Sequence, residues 1–281
     1  MTAVDTSWIA VPRRRRNGWK GLRAFVIRWG ALVALGVVWE VAARLIGSPF
    51  FPPISKVIGR FVDLWFSGPP SALFLTERFG TDLLPSLGRL FGGWGLGVAL
   101  GILLGVAIGR SRTFGDYVEP IMHFARAIPP PALLPIFFIL LGIGDGMKIS
   151  LIAFAVVWPV LLNTIDGVRS VEPLHLDTSR VFAFPRGKIF FGIVLPSASP
   201  KIFAGLRVSL AVALIVMVIA EMSSTSGIGY NVVIAQRSFQ MLDMWAGILV
   251  LGIIGYVLTA ILSLVETRVT RWHQGSREGV Q

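Results

Sequence analysis

Residues 86–109 read SLGRLFGGWGLGVALGILLGVAIG. Arg89 is the only charged residue of this segment, which is longer than the roughly 20 apolar residues that an α-helix needs to cross a bilayer. Glycine recurs in it at every fourth position, at Gly93, Gly97, Gly101, Gly105 and Gly109. On a helix this spacing forms one stripe, along which a second helix can approach closely. The segment predicts a membrane-spanning helix whose stripe serves helix packing within the chain. A subunit interface and a surface that slides during transport are the alternatives.

The composition of the whole chain excludes a water-soluble domain. Its 281 residues are 54% hydrophobic and 15% charged, whereas soluble domains carry about 25% charged residues. The net charge is +11, but the basic residues lie mainly at the N-terminus and between apolar segments. They therefore indicate membrane topology rather than nucleic-acid binding. Cysteine is absent, which excludes disulfides and thiolate metal sites.

Six apolar segments predict an all-α integral membrane fold with transmembrane helices at roughly 26–46, 86–109, 118–141, 148–166, 199–221 and 245–266. With the N-terminus in the cytoplasm, 17 of the 26 lysine and arginine residues lie inside and five lie outside. Such a bias predicts a multi-pass protein of the bacterial inner membrane with both termini cytoplasmic. The arginine-rich start leads into a retained span rather than a cleaved signal peptide. The expected parts are a basic tail at 1–25, a membrane domain at 26–268 and a tail at 269–281. Surface or re-entrant helices are expected near 57–66 and 230–239.

The third apolar segment contains three consecutive prolines, Pro129, Pro130 and Pro131. Each removes a backbone donor and clashes with the preceding helical turn, so the helix must bend or break there. Irregular backbone within a membrane requires protein or a watery cavity around it. We interpret the prolines as pore-lining, with a purely structural kink as the alternative.

Three charged residues, Glu221, Arg89 and Arg207, lie near the ends of predicted spans. Glu221 precedes a run of hydroxyl residues and either lines an outer gate or caps a helix. Arg89 and Arg207 are close enough to span ends to extend their guanidinium groups to the membrane interface.

The sequence offers no catalytic, cofactor-binding or metal-binding site. It has no phosphate-binding loop of the Gly-x-x-x-x-Gly-Lys-Ser/Thr type, and its three histidines, at 123, 175 and 273, lack metal-ligand spacing. A secondary transporter driven by an ion gradient usually carries ionisable groups at mid-span, and these are scarce here. A secondary transporter remains the alternative function, and a membrane-bound enzyme is a weaker alternative.

The segment 167–198, between the fourth and fifth spans, contains Asp177-Thr178-Ser179, then three residues, Ala183, nine residues and Ile193-Val194-Leu195-Pro196. It resembles the cytoplasmic signature of permease subunits of ATP-binding-cassette (ABC) importers: Glu-Ala-Ala, three residues, Gly, nine residues, Ile-x-Leu-Pro. The spacing is kept, while Asp, Thr-Ser and Ala183 replace Glu, Ala-Ala and Gly. Further stretches resemble the same permease family, at 86–89, 127–130, 134–135, 142–144, 195–207, 220–221 and 227–230. Over roughly 25–272 the chain is similar to the subgroup that imports sulfonates, taurine and nitrate.

This resemblance implies a type I ABC importer permease fold in which a short helix in the loop couples the pore to an ATPase. It places the ATPase-coupling residues at Asp177, Thr178, Ser179, Arg180, Phe182, Ala183, Phe184, Ile193, Leu195 and Pro196. It further implies a homodimer, two cytoplasmic ATP-binding subunits that hydrolyse ATP, and an external solute-binding protein. The imported solute would be a small organic or inorganic anion, whose identity this chain does not determine. Taken without the family spacing, the loop could equally be an ordinary basic segment.

Overall fold

The computed structural model describes residues 18–270, with the side chains of that range except those of 18–28, Arg112 and Arg180. The predicted tails at 1–25 and 269–281 therefore lie largely outside the described residues. Within this range the chain is helical and contains no strand, so the predicted all-α class is confirmed. The α-helices are α1 (Gly18–Ile46), α2 (Ile54–Phe66), α3 (Leu84–Arg110), α4 (Arg112–Ala127), α5 (Leu134–Leu141), α6 (Asp145–Arg169), α7 (Pro173–Val181), α8 (Arg186–Ile189), α9 (Leu195–Met222), α10 (Ile228–Arg237) and α11 (Met241–Val269).

The helices long and apolar enough to cross a membrane are α1, α3, α6, α9 and α11, and the bent pair of α4 and α5 supplies a sixth. Each predicted span thus coincides with a helix or with that pair. The second and fifth spans begin earlier than predicted, because single turns of π-helix at Phe79–Leu83 and Phe190–Val194 lead into α3 and α9. The two predicted shorter helices correspond to α2 and α10.

The third span is broken at its prolines, as predicted. The chain bends by 84° between α4 and the segment Pro130–Leu141. Ile128 and Pro129 are both extended, at ψ 119° and 125°. The physical reason is that a residue preceding proline is sterically disfavoured in the helical region. The arm before the bend is not uniformly apolar, because α4 contains Asp116, Glu119 and Arg126. Its Met122 is buried, whereas Tyr117 and Phe124 are exposed.

The described residues form two compact units, divided between Lys56 and Val57. In the first unit two charged residues of α1, Glu40 and Arg44, pair with each other. Glu40 accepts hydrogen bonds from Arg44 Nε at 2.7 Å and from Ser55 Oγ at 2.8 Å. The Trp39 indole donates to the carbonyl oxygen of Pro52 at 3.1 Å. These bonds hold residues 52–55 against the end of α1.

In the second unit α6 is the central helix and packs between α3 and α9. In its apolar 18-residue stretch 61% of the residues are buried, against 11% in the corresponding stretch of α11. The main core lies on these three helices and includes Leu90, Met147, Leu151, Ile152, Val156, Val160, Leu210, Ala213 and Met217. One hydrogen bond crosses it, from Trp94 Nε1 of α3 to Ser209 Oγ of α9 at 2.9 Å.

The glycine stripe of α3 lies directly against α6. In order, Gly93, Gly97, Gly101, Gly105 and Gly109 meet Ile152, Val156, Val160, Thr164 and Val168. Both rows advance by four residues in the same direction, so the two helices run parallel. A Cβ atom added at Gly97 would lie 2.7 Å from Val156 Cγ1 and 2.8 Å from the carbonyl oxygen of Ala153. Only glycine permits this approach.

On its other side α6 meets α9 just as closely. A Cβ atom added at Gly205 of α9 would lie 2.8 Å from Asn163 Cβ and 3.0 Å from the carbonyl oxygen of Pro159. The backbone of Gly167 meets Ala198 in the same way. The central helix is therefore held on two faces by contacts that leave no space for a methyl group.

We predict that Gly97→Ala destabilises the chain whereas Gly95→Ala does not. Gly95 is exposed on the same helix, and a Cβ atom there would meet nothing within 4 Å. Alanine at Gly97 should cost about 1–3 kcal/mol through overpacking, while alanine at Gly95 should gain about 0.5–1 kcal/mol of helix propensity. Thermal unfolding of the two purified variants in detergent checks the opposite signs. Equal shifts would contradict the packing role of the stripe.

Candidate functional site

Two groups of functional residues lie at opposite ends of the core. We call them the α10 end, where α3 and α6 begin and α9 ends, and the α7 end, where α3 and α6 end and α9 begins. The predicted Glu221 lies at the α10 end, and the signature residues lie at the α7 end. Pro129 and Pro131 lie exposed at the bend between α4 and α5. Within residues 18–270 no group of three histidine, aspartate or glutamate side chains could hold a metal ion.

A buried ion pair joins Arg89 and Glu221 at the α10 end. Arg89 Nη1 donates to Glu221 Oε1 at 2.8 Å, its Nε donates to Asp145 Oδ1 at 2.7 Å and its Nη2 donates to Ser226 Oγ at 3.0 Å. The side chain of Arg89 is 6% exposed and that of Glu221 is 0% exposed. The expectation that Arg89 extends to the membrane interface is therefore wrong, since its guanidinium group is enclosed by partners from α6, α9 and the α9–α10 turn.

Glu221 also caps α10. Its Oε2 accepts the backbone N–H of Gly229 at 3.0 Å, and its Oε1 accepts Ser86 Oγ at 2.7 Å. Ser86 Oγ in turn accepts the N–H of Ile228 at 3.2 Å. A carboxylate at a helix N-terminus satisfies free N–H groups and the helix dipole. The turn is closed by Gly227, whose φ of 113° suits glycine, and a Cβ atom there would collide with the Glu221 carboxylate.

Lys148 completes the cluster. Its ammonium lies 3.7 Å from Asp145 Oδ1, and its side chain is 3% exposed. The sequence contains a signal for this arrangement. Arg89 lies four residues before Gly93, and Lys148 lies four residues before Ile152, so each cation stands at the head of one of the two packed rows. The repeat alone brings the two cations to one end, but it does not identify their carboxylate partners.

At the α7 end the signature begins with α7 and a sharp turn. The helix ends in a Schellman-type cap, in which the N–H of Phe184 donates to the carbonyl oxygen of Ser179 at 3.0 Å. Ala183 occupies the left-handed position of this cap at φ 51°. Glycine is usual there, because a Cβ atom costs about 1–2 kcal/mol in that conformation. The turn expected at Ala183 therefore forms despite the replacement of glycine.

The first half of the signature is exposed. Phe182 is 68% exposed and stacks on Phe184 with ring centroids 6.2 Å apart. The ammonium of Lys188 lies 4.2 Å from the centre of the Phe184 ring, within cation–π range. Asp177 and Thr178 are exposed as well, whereas Ser179 is buried. The backbone of Arg180 lies within α7, and its side chain is outside the described part.

The second half of the signature is anchored. Ile193 and Leu195 pack on a core of Val168, Val171, Val194, Ala198 and Ile202. Pro196 lies at the start of α9, directly after the π-helical turn Phe190–Val194. The exposed aromatic turn is thus connected to the membrane spans through the packed residues Ile193 and Leu195.

We predict that Glu221→Gln destabilises the chain far more than Glu266→Gln does. Removing one charge of a buried pair costs about 3–5 kcal/mol. Glu266 pairs with Arg207, whose side chain is 53% exposed, and such pairs contribute about 0–1 kcal/mol. Thermal unfolding in detergent should show a midpoint about 10 °C lower for Glu221→Gln and a change under about 3 °C for the matched variant. Similar losses in both would contradict a stabilising role of the buried pair.

Comparison with known proteins places the chain in a family. Residues 97–272 match the family described as the binding-protein-dependent transport system inner membrane component. The chain is 32% identical to the putative aliphatic sulfonates transport permease protein SsuC of Bacillus subtilis, covering 95% of this chain and 92% of that protein. It is 32% identical to the taurine transport system permease protein TauC of Escherichia coli, covering 93% and 94%. The nitrate import permease protein NrtB of Synechocystis is 30% identical, covering 92% and 94%.

Solved structures support the fold. The inward-facing MetNI methionine ABC transporter matches with a TM-score of 0.61 at 17% identity, covering 67% of this chain and 94% of that chain. An amino acid ABC transporter matches with a TM-score of 0.53 at 15% identity, covering 68% and 92%. The predicted importer-permease fold is thereby confirmed. The chain belongs to the family of binding-protein-dependent transport system inner membrane components, as the multi-pass permease subunit of an ABC importer that works with separate ATP-binding subunits and a solute-binding protein.

Proposed function

We propose that this permease imports a small anion of the sulfonate, taurine or nitrate class. The observation that carries the proposal is that three relatives named for these solutes align with at least 92% of the chain. The scarcity of ionisable groups at mid-span agrees with a pore whose energy comes from the ATPase subunits and whose selectivity resides mainly in the solute-binding protein.

In this proposal the α7 end faces the cytoplasm and the α10 end faces outward. The excess of lysine and arginine in the segments beside the α7 end supports this orientation. Both tails, at 1–25 and 269–281, are then cytoplasmic, and 26–268 forms the membrane domain. The solute-binding protein would deliver its cargo at the α10 end.

The turn of α7 and Phe184 is proposed to dock into a groove on the ATPase subunit. Leu174, Val181 and Phe182 are all more than two-thirds exposed at this end of the chain. Exposed apolar groups of this kind indicate a protein partner, and aromatic anchors commonly provide much of the binding energy of an interface. The anchored half at Ile193 and Leu195 would pass the movement of the docked turn to α6 and α9.

The pore is proposed to lie between two copies of the chain, lined by Pro129, Pro130 and Pro131. The arms beside the bend leave a large apolar surface uncovered in the single chain, including Tyr117, Ile121, Phe124, Ile136 and Ile139. A second copy would cover part of this surface. Because the Glu221 carboxylate is enclosed, we assign it to holding the outer turn in place rather than to contact with the solute.

We predict that Phe182→Asp lowers both uptake and co-purification of the ATPase subunit by at least about tenfold, since it places a charge at an aromatic anchor. The matched control is Phe74→Asp, which changes an exposed phenylalanine outside the signature and should leave both unchanged. Membrane insertion of both variants is checked by their abundance in washed membranes. Normal ATPase retention by Phe182→Asp would refute the docking assignment while leaving the solute assignment intact.

We also predict that cells expressing the full importer accumulate labelled taurine, an alkanesulfonate or nitrate, and that the permease reconstituted alone does not. The reason is that the chain has no ATP-binding loop and few groups for ion coupling. Accumulation by the permease alone in liposomes, under an ion gradient, would favour the secondary-transporter alternative. Uptake of none of these anions by the complete importer would refute the proposed solute class.

A further inference from the structure

A cavity of about 730 Å³ lies at the α7 end, between the spans and the signature loop. The ends of α3 and α6 form one side, with Arg110 and Arg169, and the segment after α7 forms the other, with Phe184 and Arg186. This volume is within the range of about 300–1,000 Å³ found for small-molecule sites. Three arginines from three separate elements therefore converge on one space large enough for a ligand.

The cavity has a surplus of positive charge. Among the residues described as lining it there are three arginines and no carboxylate. Arg169 is paired through Nη1 with Glu119 Oε1 at 2.7 Å. Arg110 lies over the ring of Phe190, 5.6 Å from its centre, and it is exposed. An anion in the cavity would balance this charge, and the planar guanidinium fork suits the two oxygens of an oxyanion.

The rest of the cavity wall is apolar. Val168, Val171, Leu176 and Ile189 line it alongside the Phe190 ring. Aliphatic side chains next to guanidinium groups match a ligand that has both a charged head and a carbon-containing part. The arginines alone, or the aliphatic residues alone, would not define such a ligand. Both groups line the same cavity.

We propose that this cavity is a binding site for an organic oxyanion, a phosphate or sulfonate group attached to an apolar portion. Arg186 of the loop and Arg110 of α3 would hold the oxyanion between them, so that the bound ligand links the signature loop to the transmembrane helices. The site includes none of the three prolines at the bend, and it shares Phe184 with the proposed docking surface. Its test requires neither the proposed solute nor the ATPase subunit.

Two sources could provide this chemistry. One is the headgroup of an anionic phospholipid, because Arg110 and Arg169 end the spans α3 and α6. The other is a free oxyanion from the adjoining aqueous phase. The experiment below separates them by its choice of probes.

The full-length chain, purified in detergent and depleted of lipid, is titrated with dioctanoyl phosphatidylglycerol, with dioctanoyl phosphatidylcholine, or with sodium phosphate at constant ionic strength. Thermal unfolding is the readout. We expect phosphatidylglycerol to raise the midpoint by about 5–10 °C at a hundredfold excess over its dissociation constant and phosphatidylcholine to have little effect. The shift should be lost in the double variant Arg110→Gln/Arg186→Gln. It should be kept in Arg237→Gln/Arg268→Gln, which removes two exposed arginines outside the cavity.

A shift with phosphatidylglycerol alone supports a lipid headgroup. A smaller shift with phosphate as well supports a free oxyanion, and an equal shift with phosphate overturns the requirement for an apolar portion. Equal shifts in the two double variants, or equal responses to phosphatidylglycerol and phosphatidylcholine, overturn the site. The comparison of the two lipids on the unmodified chain keeps the proposal testable even if the cavity variant is poorly folded. Absence of any shift from all three probes overturns it as well.

Discussion

The closeness of α3 and α6 is the constraint on which the rest of the structure depends. Inside a bilayer the lipid tails are as apolar as leucine, so helices gain little from burying apolar surface and must gain from tight contact. The glycine row of α3 allows this contact along five consecutive steps, because no Cβ atom separates it from the branched side chains of α6. This contact fixes the register of the two helices, and the register brings Arg89 and Lys148 to the same end.

At that end the charged residues make the packing specific. Arg89 and Lys148 are balanced by Glu221 and Asp145: Arg89 donates to both carboxylates and to Ser226, and the Lys148 ammonium lies 3.7 Å from Asp145. A buried ion pair contributes less to stability than its short distances suggest, since both groups lose their hydration. Its larger effect is to disfavour every packing of α3, α6 and α9 that would leave one charge alone. The cluster therefore selects one arrangement among several that the apolar surfaces would permit.

Much of this structure could be predicted from sequence, for reasons visible in particular residues. Long apolar segments fix the spans, three consecutive prolines fix the break, and the signature spacing fixes the turn at Ala183. The partners of Arg89 could not be obtained in the same way, because Glu221 lies 132 residues away and only the folded register brings them together. The cavity at the α7 end cannot be predicted for a similar reason, since its arginines come from three separate parts of the chain. Local sequence patterns predict single helices and turns. A site formed between helices can be predicted only when the packing of those helices is known.

The bonds of Glu221 have a mechanical consequence. One carboxylate fastens the end of α9, the first turn of α10 and the start of α3 to each other. Moving α9 or the start of α3 alone would separate a buried charge from its partner, and moving α10 alone would leave a backbone N–H unpaired. We therefore expect these three segments to move together when the transporter changes state. The flexibility for that change would then come from the broken third span. There the 84° bend between α4 and α5 interrupts the helical hydrogen bonds, and the backbone can act as a hinge.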